Sequence, residues 1–463
     1  MAQAESIDKT EVLKDEKVGK LILQYALPSI IGMIVFASYI IIIQVYIAHC
    51  SGLGAYAVGG IGICLPIMVL LVAISTLTGM GAATHISICL GQGDKETACD
   101  LLGNAVTLSV ILSLVFTLLF LLFFESILRL IGTSEENYQY VRDFLIVYIP
   151  SVIVIIVTTC LNTIMRAAGH PKKSMILILF GFSLNILVTP IFLYVLKWGI
   201  KGVALGMVLC QFAAFIPGLE HFLKKGNSLP LRIHSLKLNW SIVKMISKIG
   251  FSPFLVISLM SIITLVANNR LMTYGGAFAI STYTISNTFM VFVGLILAGL
   301  TQGVQPIIGY NYGAKKITRV LKTLKITGST AVLIGIIGLT SSYFFSHLFA
   351  AVLSPDNKFV ATEVVRCLRI LAIGLPLSGF LLTINSFFQS IGSAGKAFTL
   401  SITRQLVFLV PAMFIFPLFW QTQGIWYALP FSETLSALLA IIILAFHRGE
   451  LKRQKELENK YIQ

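Results

Sequence analysis

Apolar stretches about as long as a membrane is thick alternate with short polar segments along nearly the whole chain of 463 residues. A helix needs about 20 apolar residues to cross a hydrocarbon core of ~30 Å. Twelve stretches of this chain reach that length. The predicted spans are 21–48, 55–81, 101–124, 139–163, 175–197, 199–222, 249–270, 279–307, 321–350, 366–391, 398–420 and 425–446.

The pattern within these stretches predicts helices. It lacks the period of two that marks the strands of a membrane barrel, and the runs are too long for such strands. Helices are then the remaining way to hydrogen-bond the backbone in lipid. The first stretch is too long for a signal-peptide core and lacks a small-residue cleavage site, so we expect it to remain in the mature protein. The sequence therefore predicts an all-α polytopic membrane protein.

Composition agrees with this class. Hydrophobic residues make up 57% of the chain and charged residues 11%, against about 25% charged in soluble domains. The seven cysteines are spread over different segments without a Cys-x-x-Cys pair. This spacing favours small packing residues over a disulfide framework or a thiolate metal site.

The formal net charge of +15 raises the question of a nucleic-acid partner, and the position of the charges answers it. Of the 34 lysines and arginines, 25 lie before span 1, in the loops after spans 2, 4, 6, 8 and 10, or in the C-terminal tail. The intervening loops are poor in basic residues and contain Glu135 and Glu136. The positive-inside rule therefore predicts that both termini lie in the cytoplasm. The membrane would be the inner membrane if the organism is Gram-negative. Because the charge follows the membrane topology, we expect no nucleic-acid partner.

The chain also repeats itself at an interval of about 222 residues. GAYAV at 54–58 returns as GAFAI at 276–280, Gly81 matches Gly303, and Asn162 matches Asn385. Six spans per repeat give both halves the same orientation, which predicts two parallel six-helix repeats around a central cleft. The predicted domains are an N-lobe (1–223), a cytoplasmic linker (224–248) and a C-lobe (249–463).

The join between the halves reads KKGNSLPLRIHSLKLNWSIVKMISKIG, from Lys224 to Gly250. It is a polar loop followed by a short basic amphipathic stretch, a pattern typical of a segment that lies on a membrane surface. We interpret it as a linker on the cytoplasmic face and not as a functional site.

Four motifs resemble the multidrug and toxic compound extrusion (MATE) family, closest to its bacterial MepA-like branch. They are GLTQGVQPIIGYNYGAKK (299–316), IMRAAGHPKKSM (164–175), SLNILVTPIFLYVL (183–196) and NSFFQSIGSAGKAFTLSITRQLVFLVPAMFIFP (385–417). The resemblance extends from QYALPSIIGM at 24–33 through GIWYALPFSE at 424–433. It implies a twelve-helix antiporter that exports organic cations or amphiphilic drugs in exchange for protons or sodium ions.

The resemblance also implies that no cofactor is bound and no nucleotide is hydrolysed. The sequence agrees, since it contains no GxxxxGK[ST] phosphate loop and no soluble domain to hold one. The spans show no clustered acids, histidines or metal ligands at one level, so we expect neither an enzyme nor a metal site. We expect the chain to act as a monomer in the lipid bilayer.

Two acidic positions of the family are neutral in this chain. In related proteins an aspartate follows a tyrosine in the first helix, and another precedes the proline of an Asn-Ile-Val-Leu-Asp-Pro motif in the fifth. Here Tyr39 is followed by Ile43 at the first position, and Asn185 by Thr189 at the second. Tyr39, Gln44, Asn185 and Thr189 can bind a cation or substrate, but they do not change charge near neutral pH. The alternative is that they are helix–helix hydrogen bonds worth ~0.6 kcal/mol each.

Glu433 is the only acid well inside a predicted span, because Glu125, Asp143, Glu220 and Glu363 lie at span ends. It lies about eight residues into span 12, which at 1.5 Å per residue places it ~12 Å below the outer surface. An ionisable group at that depth normally has a function, and Glu433 is our candidate for ion coupling. The competing interpretation is a structural ion pair with Arg404 of span 11.

Amides in spans 7 and 8 are further candidates for the substrate or ion pathway. At an offset of 225 residues, Ile43 and Gln44 correspond to Asn268 and Asn269. Gln302 and Gln305 belong to a family motif, and helix bending around Gly303 is an equally good explanation for them. The complete set is Asn268, Asn269, Asn287, Gln302 and Gln305.

Two other functions remain open. A flippase for a lipid-linked precursor should show paired arginines or lysines deep in the cleft for a diphosphate, and only Arg270 and Arg404 approach that depth. A membrane sensor that has lost ion coupling should bind substrate without turnover. Gradient-driven flux would distinguish the antiporter from both.

Overall fold

The computed structural model describes residues 12–48, 50, 54–131, 133, 135–224, 229–353 and 358–462, and their regular elements are all helical. The helices are α1 (Val12–Asp15), α2 (Val18–Ala48), α3 (Gly54–Gln92), α4 (Lys95–Leu122), α5 (Phe124–Leu130), α6 (Glu135–Tyr148), α7 (Val152–Ala167), α8 (Pro171–Pro190), α9 (Gly199–Leu223), α10 (Trp240–Gly313), α11 (Ile317–Leu353), α12 (Lys358–Ala372), α13 (Leu375–Ser390), α14 (Ala394–Ile402), α15 (Val410–Ile415) and α16 (Pro417–Ile462). Two 3₁₀ turns cover Ile149–Ser151 and His234–Leu236, and two π-helical segments cover Ile191–Val195 and Thr403–Leu409.

The described helices provide eleven or twelve possible membrane spans, against the twelve predicted. In the described ranges, eleven helical segments are long and apolar enough to cross a membrane. The pair Ala361–Ala372 and Leu375–Ser390, bent by 41°, makes a twelfth when it is counted as one span. The prediction of an all-α polytopic membrane protein is therefore confirmed.

Two long helices are interrupted by single residues with positive φ. In α10, Gly276 has φ 63° and separates the spans Trp240–Gly276 and Phe278–Gly313. In α16, Gln421 has φ 50° and ends a short helical stretch that begins at Pro417. Glycine adopts such angles without a steric penalty, which explains its place at the break in α10.

The helices form two compact units, and neither is a single stretch of chain. The first consists of Met1–Asp15 and Ile31–Ile257, and the second of Glu16–Ile30 and Ser258–Gln463. The start of α2 thus belongs to the second unit, and the start of α10 belongs to the first. The lobe boundaries drawn from the sequence stay a prediction.

Each unit has its own apolar core. In the first unit α3 packs against α4, α6 and α7, and α9 packs against α6 and α7, with Phe144, Ile156 and Val203 fully buried. In the second unit α11 packs along α13, and α16 packs against α13 and against the π-helical segment between α14 and α15. Phe387, Phe388 and Trp426 are the largest buried side chains of that unit.

The repeated asparagines make the same kind of contact in both units. Asn162 of α7 is hydrogen-bonded to Ser174 of α8. Its counterpart Asn385 of α13 donates to the hydroxyl of Ser401 in α14, at 3.0 Å. The internal repeat therefore preserves a link between corresponding helices.

The start of α2 lies in the second unit and the start of α10 lies in the first, and glycines let both approach their neighbours closely. A β-carbon added at Gly303 would lie 2.5 Å from the Cα of Ala26, and one at Gly299 would lie 2.7 Å from the Cα of Ile30. Gly299 and Gly303 form a G-x-x-x-G pattern, which favours close backbone contact between membrane helices.

The same arrangement occurs in the first unit. A β-carbon at Gly81 of α3 would clash with the carbonyl oxygen of Ile246 in α10. One at Gly250 of α10 would clash with the carbonyl oxygen of Leu77 in α3. Gly81 and Gly303 are equivalent in the repeat. In each unit, the equivalent glycine therefore allows close contact with the helix start that comes from the other half of the chain.

We expect Gly303→Ala to destabilise the protein by about 1–3 kcal/mol, because the added methyl meets backbone atoms that cannot rotate away. Gly294→Ala in the same helix is the matched control, since no heavy atom lies within 4 Å of the position that its methyl would take. That control should be neutral or gain about 0.5–1 kcal/mol. Thermal unfolding midpoints in detergent measure both, and equal midpoints would contradict the close contact.

Candidate functional site

Two of the predicted polar residues of the first unit form a buried pair on α8. Asn185 and Thr189 are 1% and 0% exposed. They are four residues apart and therefore lie on one face of the helix. The hydroxyl of Thr189 donates to Oδ1 of Asn185 at 2.9 Å. The neutral residue at the second family position is thus held by a local hydrogen bond.

The amide nitrogen of Asn185 is the unsatisfied part of this pair. It has no oxygen acceptor within the described ranges, and it faces the sulfur of Cys210 in α9, a weak acceptor. A buried donor without a strong acceptor costs free energy, which a ligand oxygen would recover. Asn185 is therefore a binding candidate on structural grounds as well.

Helix α9 makes room for the pair with a glycine. A β-carbon at Gly206 would lie 2.7 Å from Oγ1 of Thr189. Gly202, one turn earlier, comes equally close to Phe192, where the added atom would lie 2.9 Å from the Cβ. The G-x-x-x-G pattern of Gly202 and Gly206 was the sequence signal for this contact, and sequence reasoning missed it.

Tyr39 of α2 lies against the same face of α8. Its ring stacks on Phe182, with centroids 4.8 Å apart and an angle of 23° between the planes. Phe182 precedes Asn185 by three residues and Thr189 by seven, which is the spacing of one helical face. Tyr39, Asn185 and Thr189 are thus brought to one region, and sequence reasoning missed Phe182.

The first family position is apolar for a structural reason. Ile43 is 2% exposed and belongs to the apolar core of the first unit. A carboxylate there would be desolvated among hydrocarbon side chains at a large cost. The side chain of Gln44 lies outside the described part of the structure, so its proposed contact with a ligand stays a prediction.

In the second unit, Glu433 and Arg404 form an ion pair. Oε1 of Glu433 lies 3.0 Å from Nη2 of Arg404. The Glu433 side chain is 2% exposed and the Arg404 side chain 30%. The structural pair that the sequence raised as an alternative is therefore present, while a coupling function of Glu433 stays a prediction.

A π-helical segment positions Arg404. The N–H of Val410 donates to the carbonyl of Gln405, five residues earlier. The hydroxyl of Ser432, next to Glu433, donates to the carbonyl oxygen of Arg404 at 2.8 Å. Both the side chain and the backbone of Arg404 are thus bound by neighbouring residues of α16, and π segments often occur at functional positions.

The Glu433 side chain lies against the bend between α12 and α13. Oε2 makes no hydrogen bond within the described ranges, and Ser378 is the neighbouring polar group. A β-carbon at Gly374, at the bend, would lie 3.2 Å from the Cγ of Glu433. A carboxylate oxygen in this environment can accept a proton or bind a cation.

The remaining candidates are spread along α10 and differ in burial. Gln305 is buried, Asn268, Asn287 and Gln302 are half-buried, and Asn269 is exposed. Asn268 and Asn269 precede the break at Gly276, whereas the other three follow it. Their place in a substrate or ion pathway stays a prediction.

Comparison with known proteins identifies the family. The MatE family model matches residues 28–191 and 251–415, which are most of both halves. The chain belongs to the MATE family. The family predicted from the motifs is therefore confirmed, and the relatives described next are multidrug export proteins.

Relatives in the family resemble the chain over almost its full length. The multidrug export protein MepA of Staphylococcus haemolyticus is 28% identical over 442 residues, 96% of each chain. MepA of Staphylococcus aureus strain NCTC 8325 is 28% identical over 434 residues, 94% of this chain and 95% of its own.

Solved MATE structures share the fold. A multidrug resistance MATE transporter of the MOP superfamily in an outward-facing conformation matches with a TM-score of 0.90 and 22% identity, covering 97% of this chain and 99% of its own. A MOP superfamily transporter from Pyrococcus furiosus, described as having a binding pocket of reversed polarity, gives the same values.

A double-mutant cycle should reveal the ion pair of this MATE protein. We expect Arg404→Met to cost about 3–5 kcal/mol, because it leaves the buried Glu433 carboxylate unpaired, and Glu433→Gln to cost less, because the Arg404 side chain is 30% exposed. The double variant should cost clearly less than the sum. Thermal unfolding of the purified protein in lipid nanodiscs provides the measurement, and additive losses would show that the two groups do not interact.

Gly206→Ala should disturb the polar pair of the first unit by about 1–3 kcal/mol, because its methyl displaces the Thr189 hydroxyl. Gly218→Ala in the same helix is the control, since its methyl would make only ordinary contact with Leu177 at 3.8 Å. Unfolding midpoints of the two variants should differ accordingly. Indistinguishable midpoints would mean that Thr189 does not depend on the glycine.

Proposed function

We propose that this protein is a secondary active efflux antiporter that exports organic cations or amphiphilic drugs by alternating access. The observation that carries the proposal is the full-length similarity to multidrug export proteins, with both halves matching the family model. A proton or sodium gradient would drive the exchange, since nothing in the sequence provides for nucleotide hydrolysis.

Glu433 is the group to which we assign ion coupling. It is the only aspartate or glutamate that is buried in the described part of the chain. An acid in the membrane interior costs about 2.5–3.5 kcal/mol on insertion scales and is retained when it has a function. In the proposed cycle, an entering proton or sodium ion competes with Arg404 for the carboxylate, and its release restores the ion pair.

The first unit would bind substrate without changing charge. Tyr39, Asn185 and Thr189 offer hydroxyl and amide groups beside an aromatic pair, and no acid stands among them. An aromatic face attracts an organic cation by cation–π interaction, and hydroxyl groups fix its orientation. Gln44 and the amides of α10 would extend this pathway.

The two arginines bear on the flippase alternative. Arg404 is neutralised by Glu433, and the guanidinium of Arg270 lies 4.6 Å from the ring centroid of Phe414 and 5.5 Å from that of Tyr274. A diphosphate site requires cations that face the ligand together. These contacts support the antiporter over a carrier of lipid-linked precursors.

The proposal includes the orientation and state of the protein in the cell. The distribution of Lys and Arg supports a cell membrane location with both termini in the cytoplasm. A single chain contains both repeats, which supports a monomer as the transporting unit.

Flux in proteoliposomes tests the function. With pH and sodium gradients imposed separately, at least one should drive uptake of a fluorescent organic cation. Glu433→Gln should abolish the gradient-dependent component while cation binding, followed by fluorescence polarisation, is retained. Glu456→Gln on an exposed position of the same helix is the matched control and should leave coupled flux unchanged.

Each alternative has its own result. Cation binding without flux under either gradient would replace the antiporter with a coupling-deficient sensor. Gradient-driven flux that persists in Glu433→Gln would keep the antiporter and remove Glu433 from the coupling step. Movement of a polyprenol-linked saccharide, but of no organic cation, would favour the flippase.

A further inference from the structure

The segment that joins the two halves carries charge of one sign. Between Lys224 and Gly250 there are six lysines and arginines and no aspartate or glutamate. Lys224, at the end of α9, is exposed, and so are the four basic residues that follow in the described part of the segment: Arg232, Lys237, Lys244 and Lys248. A polybasic segment of this density attracts anionic surfaces.

Large apolar side chains are exposed among these cations. Ile233 is 89% exposed and Trp240 is 80% exposed, and Leu238 and Met245 are exposed to a lesser degree. Tryptophan and isoleucine rarely stand in water at this level without a partner. Alternating basic and apolar exposure is the composition of segments that lie in a membrane interface.

The segment is held in place by specific hydrogen bonds to the start of α4. The amide of Asn104 donates to the carbonyl oxygens of Ser235 and Lys237, and its oxygen accepts from the N–H of Asn239 at 2.7 Å. The hydroxyl of Thr107 donates to the carbonyl of Leu236 at 2.8 Å. These hydrogen bonds hold backbone groups of the segment, while its basic and apolar side chains remain exposed.

The position of Trp240 gives the depth of this surface. It is the first residue of the helical segment Trp240–Gly276, which is long and apolar enough to cross a membrane, and it lies nine residues before the predicted span 249–270. Tryptophan at the end of a span typically lies at the level of lipid headgroups. The exposed Lys244 and Lys248 lie between Trp240 and the start of the predicted span at residue 249, which is the level expected for lipid phosphates.

We propose that the segment from Arg232 to Lys248 is a docking surface for anionic phospholipid, with Trp240 and Ile233 inserted into the interface and the four basic side chains bound to lipid phosphates. The occupant follows from charge complementarity and from the depth of Trp240. The sequence predicts that this leaflet is the cytoplasmic one. The proposal does not depend on the transported substrate or the coupling ion.

Fluorescence quenching by brominated lipids tests the docking surface. The full-length protein is reconstituted into phosphatidylcholine vesicles that contain an equal mole fraction of brominated phosphatidylglycerol or brominated phosphatidylcholine. The difference between the wild type and Trp240→Phe isolates the emission of Trp240, whose exposed side chain can be replaced without unfolding the protein. We expect brominated phosphatidylglycerol to quench this emission about twofold more strongly.

Two charge variants distinguish lipid binding at this segment from an effect of the protein's net charge. Replacing Arg232, Lys237, Lys244 and Lys248 by Gln should remove the lipid preference. Replacing Arg448, Lys452, Arg453 and Lys455 by Gln is the matched control, because those exposed cations alternate with Glu450, Glu456 and Glu458 in α16. The control should retain the preference.

Three results would overturn the proposal. They are no quenching of Trp240 by either lipid, equal quenching by both, or equal loss of preference in the two charge variants. If the linker variant does not fold, rising salt in wild-type vesicles replaces it, because screening must weaken a preference based on phosphate contacts. A preference that salt leaves unchanged would also overturn it.

Discussion

Close backbone approach at glycine is the constraint on which this structure depends. Lipid gives helices no hydrophobic reason to associate, so packing must come from surfaces that fit. Gly303 against Ala26 and Gly250 against Leu77 provide that fit where the first parts of α2 and α10 join the opposite unit. Each unit is thereby completed by a helix start from the other half of the chain, and the duplicated glycines explain why the exchange occurs twice.

The two units use polarity differently although they descend from one plan. The first unit keeps a neutral pair, Asn185 and Thr189, whose hydrogen bond needs no counter-ion. The second places a carboxylate and a guanidinium together in the membrane interior, where neither would be stable alone. A duplicated protein can assign binding to one half and charge movement to the other, and the neutral family positions of the first half are consistent with that division.

The sequence was sufficient for the helices and the family because both depend on local signals. The lengths of the spans follow from the runs of apolar residues, and the i, i+4 spacing of Asn185 and Thr189 predicts a shared helix face. The 41° bend before Leu375, the π segment around Arg404 and the exchange of helix starts are set by tertiary packing, which hydropathy does not record. For the same reason the sequence left two interpretations of Glu433, and it did not identify Phe182 or Ser432 as neighbours of the candidate residues.

The π segment at Thr403–Leu409 fits one more residue into its turn than an α-helix does. Each residue of an α-helix advances the side-chain direction by about 100°. The extra residue therefore rotates the side chains of α15 relative to those of α14. In α14, Ser401 accepts a hydrogen bond from Asn385. One span can then turn two faces toward two separate sets of neighbours that an uninterrupted α-helix of the same sequence would not face together.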